Sequence, residues 1–179
     1  MVRRISALLL IVAAANAAVF AVEAALFTPL RVPTQSMWPS LQRHDRIAVN
    51  HQVAFSDLQR GDLVVFAVHS KSGEPVTPAR DQEQKLIVKR VVALPGESVE
   101  ARDGVVAVDQ ENRLGEPYLL GRRGDTQFPF ERIRSGEVWV LGDNRDHSVD
   151  SREYGPVPAA AVVGRVAFRY WPLNRWHTY

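Results

Sequence analysis

A long apolar run near the start of the sequence, ISALLLIVAAANAAVFAVEAALF over residues 5–27, constrains the fold most strongly. Only Asn16 and Glu23 interrupt it, and its length suits a helix that crosses a hydrocarbon core of ~30 Å. Two arginines stand within residues 1–4, whereas one arginine follows the run closely. The positive-inside rule therefore predicts a membrane anchor over residues 5–27, with residues 1–4 in the cytoplasm and residues 28–179 as an extracytoplasmic domain.

A secretory signal that is cleaved after export is the alternative interpretation of this run. Small-residue triplets such as Ala13-Ala14-Ala15 are similar to a cleavage site. They lie in the middle of the run, however, and the run is longer than a typical h-region of roughly 7–15 residues. We therefore favour a retained anchor.

The composition excludes several classes of function. The sequence contains no cysteine, which rules out thiol catalysis, cysteine-ligated zinc and disulfides. A net charge of +2 without a basic run gives no indication of nucleic-acid binding. The five histidines lack the spacing of a metal-binding helix, so we expect no metal. Any nucleophile must then be an oxygen or a nitrogen.

Short β-branched runs separated by turn residues predict a mainly β domain after the anchor. An Asp103-Gly104 pair between alternating residues predicts a hairpin. Glycine and proline predict loops over residues 70–83 and 116–133. The predicted strands cover residues 46–49, 62–68, 85–94, 138–141 and 162–170.

Ser36 lies in PTQSMWPSL, between two prolines and just past the apolar run. As a nucleophile it would need a base to take its proton. His147 lies in GDNRDHSVDSREYG among acidic residues, but nearness in sequence does not establish the geometry of a triad. Lys89 is the other candidate base.

Lys89 and Arg90 are neighbours in a predicted strand, so they point to opposite faces and one of the two is expected to point inward. Burial among apolar side chains would lower the pKa of a lysine, and its neutral amine could then act as a base. A lysine that reaches solvent at a sheet edge is the alternative.

Several segments, taken together and in chain order, resemble the bacterial type I signal peptidases (leader peptidases). These are membrane-anchored serine endopeptidases with a Ser-Lys dyad. After the N-terminal span, the matching segments are SMWPSL (36–41), GDLVVF (61–66), KRVVALPGE (89–97) and GDNRDHSVDSREYGPV (142–157). The resemblance implies a transmembrane helix followed by a compact, β-barrel-like catalytic domain of antiparallel sheets. The short span between Lys89 and Gly142 implies that no large cap is inserted there.

The resemblance also implies roles for individual residues. Ser36 corresponds to the nucleophile and Lys89 to the general base. Thr34 corresponds to a hydroxyl donor of the oxyanion hole, which the backbone N–H of Ser36 would complete. This chain has Gln35 before the nucleophile, where many members have glycine.

Further residues match supporting and substrate-binding positions of the family. Ser148 corresponds to a serine that orients the lysine amine, Asp150 and Arg152 to a supporting ion pair, and Asp143 and Arg145 to the same structural segment. The candidate residues for apolar substrate pockets, which could equally be core residues, are Met37, Leu41, Val32, Ile47, Ile87 and Val88.

The implied reaction is removal of N-terminal signal peptides from exported preproteins, by cleavage after a small residue at the outer face of the cytoplasmic membrane. No metal or cofactor is required. The expected partners are preproteins emerging from the export machinery and membrane lipid; nucleic acid is not among them, and a monomer is expected.

Three alternatives remain at this point. A self-cleaving Ser-Lys peptidase of the repressor type would need a DNA-binding helical domain where this chain has an apolar run. A peptidase specialised for one substrate is harder to distinguish. A membrane-anchored β-domain that only binds would not require Ser36, Lys89 and Ser148 together.

Overall fold

The computed structural model describes residues 26–79, 83–110, 112–121 and 123–179. The predicted anchor lies outside these residues except for its last two positions. Phe27, the last of them, begins the first strand rather than ending a helix. Within the described ranges, no helix has the length and apolar character needed to cross a membrane.

The described residues form twelve strands and one short α-helix. Five single 3-10 turns connect them, at Phe55–Asp57, Pro117–Leu119, Arg145–His147, Ala159–Ala161 and Leu173–Arg175. The strands are β1 (Phe27–Arg31), β2 (Arg46–Asn50), β3 (Leu63–His69), β4 (Gln84–Ala93), β5 (Ser98–Arg102), β6 (Val105–Val108), β7 (Asn112–Arg113), β8 (Phe128–Arg132), β9 (Glu137–Leu141), β10 (Val157–Pro158), β11 (Val162–Trp171) and β12 (His177–Thr178). The helix α1 covers Ser151–Tyr154.

The larger sheet is antiparallel and has the order β1-β2-β11-β3-β4-β9-β10, with β12 added to β11. The expected barrel-like domain is therefore wrong in one respect, because the described strands form an open sheet. Its two edge strands each contain a proline, Pro29 in β1 and Pro158 in β10. Proline has no N–H to donate, so neither edge strand can form a complete ladder of backbone hydrogen bonds with the other.

A smaller antiparallel sheet, in the order β7-β6-β5-β8, forms between β4 and β9. The predicted hairpin is confirmed: Asp103 and Gly104 join β5 to β6, and both have positive φ values, 50° and 75°. The predicted loop over residues 116–133 is wrong at its end, which forms β8. Four exposed residues, Pro129 among them, hide this strand from pattern analysis, since only Phe128 is buried.

The five predicted strands are confirmed as β2, β3, β4, β9 and β11, with ends that differ by at most one residue. Sequence analysis missed β1, because its first residue, Phe27, is the last residue of the apolar run. Alternate residues of β3 enter two different buried clusters: Leu63 and Val65 join one, and Val64 and Phe66 join the other. The larger sheet is thus buried on both faces, which explains its continuous apolar strands.

Strand β4 pairs with different neighbours along its length. Its first seven residues, from Gln84 to Arg90, pair with β3. On the other side, β9 pairs with β4 only between Arg90 and Ala93. Among the described strands, the edge over residues 84–89 therefore lacks a partner on the β9 side, and Lys89 stands at the end of this open edge.

Candidate active site

Ser36 lies in a tight turn after β1, which buried side chains fix to the core. Met37 and Leu41 are fully buried in the cluster shared with Ile47 and Val65. The Leu41 N–H donates to the Met37 carbonyl over 2.8 Å, and the Trp38 N–H donates to the Gln35 carbonyl over 3.0 Å. The turn therefore holds the Ser36 backbone in one place while the side chain stays partly accessible.

The side chain of Lys89 reaches Ser36 from the middle of β4, where Lys89 pairs with Val64. Nζ of Lys89 lies 2.7 Å from Oγ of Ser36, within hydrogen-bond distance. Oγ1 of Thr34 lies 3.1 Å from the same oxygen. The structure thus brings together the three residues that the sequence predicts to lie at the reacting centre.

The environment of Lys89 favours its neutral form. Burial lowers the pKa of its amine from the ordinary 10.5 to about 8, against the opposing charges of Asp150 and Asp143. Arg152 and Lys85 add to the lowering through like-charge repulsion. Roughly a tenth of the amine is then neutral at pH 7, enough to serve as a proton acceptor.

Asp150 and Arg152 form an ion pair at the start of α1, with Nε of Arg152 2.8 Å from Oδ1 of Asp150. The buried Asp150 carboxylate also accepts the Gly142 N–H over 2.8 Å. Arg152 in turn donates to the carbonyls of Arg145 and Ser148. The pair therefore fixes the loop over residues 142–150 rather than contacting Ser36 directly.

The same loop holds the backbone of Gln35 and Ser36. The Asn144 N–H donates to the Ser36 carbonyl over 3.0 Å, and its side-chain amide donates to the Gln35 carbonyl over 3.1 Å. Sequence analysis did not single out Asn144. The only available signal was its position in the GDN of the most specific motif, because the two bonds join residues more than a hundred positions apart.

Asp143 pairs with Arg90 rather than with Lys89. Nε and Nη2 of Arg90 lie 2.8 and 2.6 Å from the two Asp143 oxygens, and both side chains are buried. The expectation that one of the two β4 cations points inward is wrong, because both are buried, at 3% exposure for Lys89 and 7% for Arg90. A bidentate carboxylate makes burial of the second cation possible.

Ser148 does not form the hydrogen bond to Lys89 that the family resemblance implied. Its hydroxyl is buried and has no hydrogen-bond partner in the described part of the chain. It packs instead against the backbone of Gly142, where a Cβ would overlap the Ser148 side chain. Arg145 forms a buried ion pair with Glu116 and donates to the Gly142 carbonyl.

A cavity of about 440 Å³ opens beside the Ser36 and Lys89 side chains. We call it the dyad cavity. Its lining is largely apolar and comes from the turn before Ser36, from β3 and β4, and from residues 147–154. The lining residues are Pro33, Thr34, Ser36, Val68, Gly73, Lys85, Leu86, Ile87, Lys89, His147, Val149 and Tyr154.

Of the six pocket candidates, only Ile87 lines this cavity. The other five are buried together in one core cluster: Val32, Met37, Leu41, Ile47 and Val88. Val88 is adjacent to Ile87 but points to the opposite face of β4. Sequence analysis missed Leu86, Val149 and Tyr154 as lining residues, since no local pattern indicates which loop approaches β4.

A second cavity of about 480 Å³ lies beside the other end of the nucleophile turn. Its polar lining includes Gln35, Asn144 and Asp146. His147 lines both cavities and is exposed, and no hydrogen bond joins its side chain to Ser36 in the described residues. Lys89, and not His147, lies within hydrogen-bond distance of Ser36 Oγ.

In the described ranges, no cluster of histidine, aspartate or glutamate side chains is arranged to hold a metal ion.

Comparison with known proteins gives the family of this chain. Residues 3–171 match the family model described as signal peptidase, peptidase S26. The chain is 36% identical over 152 residues to probable signal peptidase I-1 of Synechocystis, covering 83% of this chain and 73% of that protein. It is 31% identical over 183 residues to signal peptidase IB of Staphylococcus aureus, covering 92% and 88%. A solved structure of a signal peptidase I from Enterococcus faecalis aligns with a TM-score of 0.47 at 31% identity, covering 60% of this chain and 95% of that one.

Proposed function

Because this chain belongs to the signal peptidase family, peptidase S26, we propose that it removes signal peptides from exported preproteins through a Ser36–Lys89 dyad. The observation that carries the proposal is the 2.7 Å contact between Nζ of Lys89 and Oγ of Ser36. The contact lies at a largely apolar cavity, and burial lowers the pKa of the amine to about 8. A lysine with a purely structural role would not need to be buried beside a serine hydroxyl at a cavity.

The first step is acylation. Neutral Lys89 accepts the Ser36 proton across the existing contact while Oγ attacks the scissile carbonyl carbon. The carbonyl oxygen becomes an oxyanion, which the Thr34 hydroxyl and the Ser36 N–H stabilise. The protonated lysine then gives its proton to the leaving amine, the C–N bond breaks, and the mature protein departs with a new N-terminus.

The second step is hydrolysis of the acyl-enzyme. Lys89, neutral again, takes a proton from water as the water oxygen attacks the ester carbonyl. Collapse of the second oxyanion breaks the ester bond and returns the proton to Ser36. Atoms and charges balance with water as the only co-reactant, so the proposal needs no metal or cofactor.

Supporting residues keep this geometry in place. Asp150 and Arg152 fix the loop whose Asn144 holds the Ser36 carbonyl. Asp143 neutralises buried Arg90, the neighbour of Lys89 in β4. Ser148 lies in the same loop, and its buried hydroxyl has no hydrogen-bond partner in the described residues.

The open edge of β4 gives the substrate a place to bind in extended form. Backbone groups of residues 84–89 lack a partner on this side among the described strands. Strand addition here would direct a peptide along the dyad cavity to Ser36. The polar second cavity, beyond Ser36, would then hold residues on the other side of the scissile bond. Cleavage after a small residue follows the family resemblance.

We further propose that residues 5–26 anchor the chain in the cytoplasmic membrane, with residues 1–4 inside and the domain that begins at Phe27 outside. Their length, apolarity and flanking arginines support this topology. Anchoring would confine enzyme and preprotein to one membrane plane and raise their effective concentration. The proposed partners are preproteins emerging from the export machinery, and lipid.

The test is processing of a signal-peptide-bearing preprotein by the full chain in liposomes, with the new N-terminus sequenced. We expect cleavage after a small residue in the wild type and none with Ser36→Ala or Lys89→Ala. Circular dichroism would check that both variants fold. Cleavage that persists in folded Ser36→Ala, or its absence in the folded wild type, would overturn the proposal.

A further inference from the structure

One polar group in the dyad cavity has no task in the reaction just proposed. Tyr154 ends α1 and lines the cavity with Ser36 and Lys89. Its hydroxyl is buried and, within the described ranges, has no hydrogen-bond partner. Two other buried side-chain atoms share this condition, in Ser148 and Trp139.

The buried polar side chains next to Tyr154 in the chain have hydrogen-bond partners. The Asp150 carboxylate accepts bonds from Gly142 and Arg152. The Ser151 hydroxyl accepts the Val140 N–H over 2.9 Å. The Tyr154 N–H itself donates to the Asp150 carbonyl. Among the buried side chains of residues 150–154, the phenol is therefore the one whose polar atom has no partner in the described part of the chain.

Packing alone does not explain a tyrosine at this position. The ring lies edge-on to Phe66, with the ring centroids 6.2 Å apart, and belongs to the apolar surface around Val64 and Val91. Phenylalanine would make the same contacts without burying a hydroxyl. Leaving a buried hydroxyl unpaired destabilises a fold, so the group implies a partner that arrives from outside the fold.

We propose that the Tyr154 hydroxyl donates a hydrogen bond to a backbone carbonyl of the extended peptide bound in the dyad cavity. The inference rests on the proposed function and adds a substrate-binding residue to it. A peptide added to the open edge of β4 pairs along one of its two edges, and carbonyls on its other edge still need donors. Burial and the nearby Asp150 charge raise the pKa of the phenol, which keeps it protonated as a donor.

The test compares Tyr154→Phe with wild type in the full chain in detergent, using a peptide that spans a signal cleavage site. We expect kcat/KM to fall by about two- to tenfold, mainly through KM. The midpoint of thermal unfolding should rise or stay unchanged, because a buried unsatisfied hydroxyl is removed. The pH of half-maximal kcat should not move, since Tyr154 acts on the substrate and not through Lys89.

Tyr118→Phe is the matched control, because the Tyr118 hydroxyl donates to Glu116 over 2.8 Å and lies outside the dyad cavity. It should lower the unfolding midpoint and leave kcat/KM unchanged. An unchanged kcat/KM in Tyr154→Phe would overturn the inference, as would a loss accompanied by a lower midpoint. Ser36→Ala, assayed in parallel, separates the two proposals: cleavage by that variant would overturn the dyad itself.

Discussion

The amine of Lys89 and the hydroxyl of Ser36 lie 2.7 Å apart, although 53 residues separate them in the chain. One residue comes from the middle of a strand and the other from a turn fixed by buried Met37. Since the two segments meet only in the folded domain, the contact depends on the assembled sheet and not on either segment alone.

Peptide cleavage should rise with pH and level off above about 8. The base must be neutral, and burial lowers the pKa of Lys89 to about 8. Below that value kcat should fall about tenfold for each pH unit. A pH series with a peptide substrate, with fluorescence to confirm folding at each pH, would measure this. A rate that is already constant from pH 6 would point to a different base.

Lys89→Met should stabilise the fold at pH 7 while abolishing cleavage. The amine has a lower pKa in the folded state than in the unfolded state, so the unfolded chain binds more protons between about 8 and 10.5. The free energy of unfolding of the wild type therefore rises between about pH 8 and pH 10.5. Below about pH 8, the buried charge destabilises the fold by its full amount. Removing the charge should raise the free energy of unfolding by up to about 3 kcal/mol at pH 7, and less as the pH approaches 10.

Urea unfolding at several pH values would measure the effect of Lys89→Met. Lys71→Met is the control, because the Lys71 side chain is 78% exposed and its ion pair with Glu83 is on the surface. Its stability should change little at any pH. A destabilised Lys89→Met at pH 7 would mean that the ammonium is well solvated or fully paired in the fold.

Thr34→Val should lower kcat by about 10²–10³-fold, the usual cost of one lost oxyanion donor. Valine keeps the branched shape of threonine and removes only the hydroxyl that lies 3.1 Å from Ser36 Oγ. Thr34→Ser, which retains the hydroxyl, should stay within a few-fold of wild type. Single-turnover rates at saturating peptide would separate this effect from binding. Equal rates for the valine and serine variants would remove Thr34 from the oxyanion hole.

Gly142→Ala should lower both cleavage and stability. A Cβ at this position would overlap the Ser148 hydroxyl and lie 2.6 Å from the Ser36 carbonyl oxygen, so the nucleophile turn must shift. We expect a loss of about 100-fold in kcat/KM, as a displacement near 1 Å commonly causes. Gly115→Ala is the control, because nothing lies within 4 Å of its added Cβ. Similar activity in the two variants would contradict the close packing at Gly142.

Local sequence patterns were sufficient for the elements whose signal lies within the element. β3 and β4 are long apolar strands buried on both faces, and the Asp103-Gly104 turn requires positive φ values that this pair adopts easily. Ser36 and Lys89 could be identified because each lies in a recognisable segment of the family resemblance. Their contact itself is a property of the assembled sheet.

Features that depend on distant partners could not be predicted in this way. Burial of Arg90 depends on Asp143, 53 residues away, which compensates its charge. The Ser148 hydroxyl turns toward Gly142 because the loop is tied down by Arg152, and no motif encodes that direction. The choice of Ile87 over Val88 as a lining residue also depends on a distant partner, because Val88 is buried in the same cluster as Met37.

The open edge of β4 also exposes the molecule to self-association. Unpaired backbone N–H and C=O groups bind any extended chain, including a second copy of the same strand, and natural proteins often protect such edges with lysine. Lys85 is exposed near the start of this edge, whereas Lys89 is buried at its end. The edge over residues 84–89 must stay unpaired to accept a substrate, and an unpaired edge favours association between copies. The charge of Lys85 disfavours pairing between copies and leaves the edge open.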